Sequence, residues 1–224
     1  MRHPLALFDL DNTLVDRQGT LAEWAAGFVA RHGLDTEEQS HLVGMVAARA
    51  HPPTFDAIRA RYRLPPSATE LWRAYCADIA ALVSCPPEVL DGLDALRSAG
   101  WRVGVATNGA SDIQRAKLRS TRILQHVNGV FVSGEVDVRK PRTRHFALAA
   151  ARCGATLDDG GWMVGDSVVN DIGGGRTAGL RTVWVHNGRS WPNTSGHGPD
   201  HTVPDVRAAI DLLLHTTDHE RTTA

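Results

Sequence analysis

Five short apolar runs, each closing on a polar residue, constrain this chain more than any other feature. Leu5-Ala6-Leu7-Phe8 meets Asp9, and Val103-Gly104-Val105-Ala106 meets Thr107. Val130-Phe131-Val132 meets Ser133, Trp162-Met163-Val164-Gly165 meets Asp166, and Thr182-Val183-Trp184-Val185 meets His186. Runs this short, rich in Val and aromatic residues, read as strands buried on both faces of a parallel sheet. Helical spacing fills the intervals at Pro86–Ser98, Ser111–Leu118, Thr143–Arg152, Asn170–Ala178 and Asp205–Leu214. Such alternation predicts an α/β fold with a doubly wound, Rossmann-like parallel sheet.

One stretch breaks the alternation. Between Thr20 and Val83 no run reads as a strand. The spacing predicts about four helices instead, near Leu21–Arg31, Thr36–Ala50, Thr54–Tyr62 and Ala68–Val83. Pro52-Pro53 and Pro65-Pro66 separate the later ones. This predicts an α/β core formed by residues 1–16 and 86–224, with an inserted all-helical cap at residues 17–85. Asn187–Asp200, rich in Gly, Ser, Pro and Asn, reads as a surface loop, and the polar tail from His215 is expected to fray.

Charge narrows the function classes. With 24 Lys+Arg against 25 Asp+Glu the formal net charge is −1, which argues against a nucleic-acid or membrane-surface protein. No apolar run approaches the ~18 residues of a membrane span. Cys76, Cys85 and Cys153 are widely spaced, as expected of free thiols in a reducing cytoplasm, and the start does not read as a signal peptide. Eleven scattered histidines suggest no zinc cluster.

In an open α/β sheet, ligands bind beyond the carboxyl ends of the strands. The polar residues that end the runs therefore converge: Asp9 with Asp11, Thr107 with Asn108, and Asp166 with the nearby Asp171. Up to four carboxylates in one pocket repel, which raises their pKa values or demands a cation. A hard ion such as Mg²⁺ suits such a site. One carboxylate can then act as nucleophile and another as proton donor and acceptor. Lys140, in Val138-Arg139-Lys140-Pro141, can offset phosphoryl charge.

These residues carry a family resemblance. Asp9-Leu10-Asp11-Asn12-Thr13-Leu14 resembles the opening motif of the haloacid dehalogenase-like superfamily. Thr107-Asn108-Gly109 is similar to its second motif, Lys140-Pro141 to its third, and Gly165-Asp166-Ser167-Val168-Val169-Asn170-Asp171 to its fourth. All four occur in order, over about residues 4–188, and the helical insert matches the family's first cap class. The resemblance implies that Asp9 is the nucleophile and a Mg²⁺ ligand. Asp11 would be the general acid/base and lend the metal its backbone carbonyl. Thr107 and the amide of Asn108 would hold phosphoryl oxygens, and Lys140 would balance charge. Asp166 would be a direct metal ligand, with Asp171 orienting the site through metal-bound water.

Asp11 discriminates within the superfamily. Dehalogenases do not need this second acid, because halide leaves unaided, whereas a P–O bond needs a proton on its leaving oxygen. The implied activity is Mg²⁺-dependent hydrolysis of a small phosphorylated metabolite through an aspartyl-phosphate. A hexose-phosphate mutase, a dehalogenase or a non-catalytic binding module of the same fold are the alternatives; the mutases usually carry Gly in place of Asn12.

Plainer roles compete at several positions. Asp171 can complement a helix start, and Lys140 can be a solvated lysine. Gly173-Gly174-Gly175 reads as close helix–sheet packing, since the residues that follow do not match a phosphate loop. Trp24, Trp72, Trp162 and Trp184 read as core, and Arg49, His51, Arg59 and Arg63 as a solvated basic face. Substrate identity and oligomeric state are not encoded in these motifs.

Overall fold

The computed structural model describes residues 3–47, 50–192 and 198–222. Along the chain run β1 (Leu5–Phe8), α1 (Arg17–His32), α2 (Glu38–Ala47), α3 (Pro52–Tyr62), α4 (Ala68–Leu82) and α5 (Pro87–Ser98). Then come β2 (Arg102–Thr107), α6 (Ser111–Ser120), β3 (Gly129–Val132), α7 (Thr143–Arg152) and β4 (Trp162–Gly165). A widened turn, Val168–Gly173, leads into α8 (Gly174–Thr177), followed by β5 (Arg181–Val185), β6 (His201–Val203) and α9 (Val206–Thr222).

All strand pairs are parallel, in the order β3-β2-β1-β4-β5-β6. Every residue of β1 is buried, as expected of a central strand covered on both faces. The direction of winding reverses at β1, where a crevice opens beyond the strand ends. On one face of the sheet, Leu5, Leu7, Phe131, Phe146, Ala149, Met163 and Leu180 form a single apolar cluster. The glycines that open α8 allow close packing. A Cβ on Gly175 would stand 2.9 Å from Met163 Cβ, and one on Gly174 would stand 2.8 Å from Pro141 Cα.

The chain divides into two compact units. One comprises the residues up to Val15, then Cys85–Asn108, and the chain from Arg122 on; it holds the sheet. The other comprises Asp16–Ser84 and Gly109–Thr121, and is helical. In the helical unit, Asp16 caps α1 by accepting from Gly19 N at 2.9 Å. Ser67 and Glu70 form a reciprocal capping box on α4. Its interior gathers Trp24, Phe28, Phe55, Trp72 and Tyr75.

Several expectations change. Segment Gly109–Thr121, read from sequence with the core, groups with the helical unit. Ile113 joins that unit's apolar cluster, and Asp112 Oδ2 accepts from Trp72 Nε1 at 2.5 Å. Prolines 52 and 53 open α3 rather than precede it, because the first helical turn needs no N–H from them. β6 was not foreseen: it has three residues, and of these only Val203 is buried. The tail from His215 continues α9 to Thr222 rather than fraying at once. Arg49 lies outside the described residues. Among the other basic residues of that stretch, Arg59 Nε donates to the Pro66 carbonyl at 2.9 Å, and His51 Nδ1 pairs with Thr54 Oγ1 at 2.8 Å.

Candidate active site

The backbone amide of Asp9 donates to Val164 O at 2.9 Å, so the β1–β4 pairing carries on past the strand end. The chain then turns tightly. Leu14 N and Val15 N both donate to Leu10 O, and Asn12 takes a left-handed conformation, φ 58°, which Asn tolerates better than most residues. Asn187 Nδ2 donates to Asn12 O at 2.7 Å and fastens this turn from beyond β5. Asp11 lies in the turn, half-buried, and its charge adds to the pressure on Asp9.

β2 delivers Thr107, which is buried, and Asn108. The Asn108 side chain is committed to the backbone of Lys140. Its Oδ1 accepts from Lys140 N at 2.9 Å and its Nδ2 donates to Lys140 O at 3.1 Å. The resemblance offered only a backbone role for Asn108. The side chain fixes where the lysine stands.

Lys140 is buried between two carboxylates, with Nζ 2.6 Å from Asp9 Oδ1 and 2.7 Å from Asp171 Oδ1. Burial pulls its pKa down, but Asp171 and Asp9 together outweigh that and hold it above the usual lysine value. The ammonium therefore persists, and the plain reading as a solvated lysine is ruled out by its 4% exposure.

β4 ends at Gly165, and a Cβ there would overlap the Asp171 carboxyl. Glycine is required because the widened turn after β4 brings Asp171 back against the strand. Both oxygens of Asp171 are engaged: Oδ1 with Lys140 and Oδ2 with the Ser167 amide at 2.9 Å. Asp166 stands one residue past the strand. Its Oδ2 meets Arg189 Nη2 at 3.0 Å, and its carbonyl accepts from Trp184 Nε1 at 3.0 Å. Arg189 was not foreseen; in a loop rich in Gly, Ser and Asn nothing in the local sequence marks it.

Asp9, Asp166 and Asp171 each offer an oxygen within 4.8 Å of the others. Burial pushes the Asp9 carboxyl from the ordinary 3.8 to about 7, against the pull of Lys140, with Asp171 and Asp11 adding to the rise. Burial raises Asp166 to about 6, with Asp9 adding and Arg189 opposing. Three buried carboxylates against one buried ammonium leave an excess of negative charge. An all-oxygen donor set with that excess fits a hard divalent cation such as Mg²⁺.

A family model described as haloacid dehalogenase-like hydrolase matches residues 6–185. A phosphoserine phosphatase of Thermus thermophilus is 37% identical over 121 residues, which cover 54% of this chain. The chain spans about half of that relative, 48%. A glyceraldehyde 3-phosphate phosphatase of Methanopyrus kandleri is 29% identical over 92% of this chain and 95% of its own length. Among solved structures, the magnesium-bound HAD-hydrolase YfnB of Bacillus subtilis superposes with TM-score 0.74 at 19% identity. That match covers 95% of this chain and 99% of that one.

Proposed function

This chain belongs to the haloacid dehalogenase-like hydrolase family, and from that premise we propose that it is a Mg²⁺-dependent phosphatase acting on a small phosphorylated metabolite. The observation that carries the reading is Asp9: a buried carboxylate at the end of the central strand, with one oxygen held at 2.6 Å by Lys140 and a second acid, Asp11, in the same turn.

Asp9 attacks phosphorus in line with the leaving oxygen. The P–O bond to the alcohol breaks as Asp11 gives its proton to that oxygen, and an aspartyl-phosphate forms on Asp9. Asp11, now a carboxylate, takes a proton from water as the water attacks phosphorus. Inorganic phosphate leaves, and both acids return to their starting states. Lys140 favours the ionised form of Asp9 against the effect of burial, since protonating Asp9 would forfeit a charge-assisted hydrogen bond. Thr107 and the Asn108 amide receive phosphoryl oxygens. Asp171, held by Ser167 N, positions Lys140. Asp9, Asp166 and the Asp11 carbonyl would hold Mg²⁺, which when bound supplies positive charge to the phosphoryl oxygens.

The relatives' names support phosphate-ester hydrolysis as the class. The test is release of inorganic phosphate from p-nitrophenyl phosphate and from a panel of phosphorylated metabolites, with and without Mg²⁺. Turnover that needs Mg²⁺ and disappears in Asp9→Asn supports the reading. Halide release from a 2-haloacid without metal would replace it with the dehalogenase alternative.

A further inference from the structure

Arg189 sits just past β5 in the sheet unit, and the proposed chemistry does not use it. Its Nη2 donates to Asp166 Oδ2 at 3.0 Å and to the Asp166 carbonyl at 2.9 Å. Its Nε donates to His186 O at 3.1 Å. The guanidinium lies 6.0 Å from the Trp184 ring centroid, and that indole donates to the same Asp166 carbonyl. A flexible surface arginine would not be held at so many points. The pair is also asymmetric: the Arg189 side chain is 47% exposed and that of Asp166 only 12%. An interior acid is thus matched to a cation standing at the rim, beside a cluster with excess negative charge.

We propose that Arg189 is a resident counter-cation of Asp166, which a divalent ion must compete with, so that this arginine sets the metal affinity of the site. Without metal it satisfies an acid that would otherwise be buried beside other acids. With metal, two positive centres share one carboxylate, and their repulsion opposes binding. The solvent-exposed position of the guanidinium lets it withdraw into water. The inference rests on the reading of Asp166 as a metal ligand.

The experiment titrates Mg²⁺ into metal-free wild type, Arg189→Gln, Arg189→Lys and Asp166→Asn. It follows heat of binding and the metal-dependent rise in Tm, neither of which requires turnover. Arg189→Gln is expected to bind Mg²⁺ roughly tenfold tighter than wild type, a modest figure for a half-exposed charge. Arg189→Lys keeps the charge but not the planar fork, and should stay nearer wild type than the glutamine variant does. Unchanged or weaker binding in Arg189→Gln, or equal behaviour of the two variants, overturns the proposal. If Arg189→Gln does not fold, a lysine variant with the wild-type Kd or a tighter one supports it, and a weaker one overturns it. Binding by wild type but not by Asp166→Asn shows that the metal reading stands whatever Arg189 does. No binding by wild type overturns both.

Discussion

The two units bury opposite things. The helical unit hides aromatic rings: Tyr75 meets Trp24 edge-on at 4.9 Å and lies 5.1 Å from Phe55 and 5.6 Å from Trp72. Its ion pairs stay near the surface, as in the Arg31–Asp78 pair, whose side chains are 51% and 25% exposed, although Lys117 is buried there. The sheet unit packs apolar side chains just as closely, yet at the ends of its strands it encloses Asp9, Lys140, Asp166 and Asp171. Apolar packing lowers the energy of the folded chain. Buried acids with too few counter-charges raise it. A fold keeps such a cluster where chemistry uses it.

The sharpest way to break this contrast is to change one atom type in each interior. Asp9→Asn removes the proposed nucleophile while keeping its shape. Phosphate release is expected to fall by about 10³-fold or more, while the metal-free Tm stays level or rises, because one uncompensated charge is gone. Assay of released phosphate beside a thermal melt checks both halves. Phe55→Ala should do the reverse. Emptying an aromatic site with no solvent exposure costs about 3–5 kcal/mol, read as a lower denaturant midpoint.

A smaller effect tests how the acids are placed. Gly165→Ala sets a methyl group against the Asp171 carboxyl and so disturbs Lys140 at second hand. It should lower kcat by about 10- to 100-fold, the range lost when a supporting residue shifts, with less change in KM. Equal losses in both constants would mean that Asp171 supports substrate binding instead.

The smallest effect is the pH dependence of the metal-free protein. In the fold Asp166 titrates near 6 and Asp9 near 7, both above the ordinary 3.8. Between about pH 4 and 7 the native state therefore holds protons that the unfolded chain has released, and this part of the stability is lost as pH rises. Melts of chelated protein from pH 5 to 8 should show wild type losing stability relative to Asp166→Asn. The opposite slope would mean that Lys140 and Arg189 outweigh burial.

Much of this was legible in the residues. Period and length exposed β1 to β5, because a strand buried on both faces must be apolar throughout and its polar terminus stands out. The four motifs then brought Asp9, Asp11, Thr107, Asn108, Lys140, Asp166 and Asp171 together in expectation. What escaped was set by contacts between residues far apart in sequence. Asn108 meets Lys140 32 residues away, and Arg189 meets Asp166 across 23; neither leaves a local pattern. β6 escaped because an edge strand with one buried residue lacks the apolar signature. The grouping of α6 escaped because helical spacing says which face is apolar but not which neighbour receives it.

The central place of β1 has a consequence for how the protein comes into being. Asp9 is made well before the acids that join it: its strand is flanked by β2 and β4, and the acids past β4 follow some 160 residues later in the chain. Growing chains fold as their units are completed. A ribosome-bound fragment that stops before β4 carries Asp9 at a raw sheet edge, with neither Asp166 nor Asp171 beside it. Asp9 thus stays apart from those acids until β4 has been made, and the strand that closes the sheet beside β1 also brings them to it.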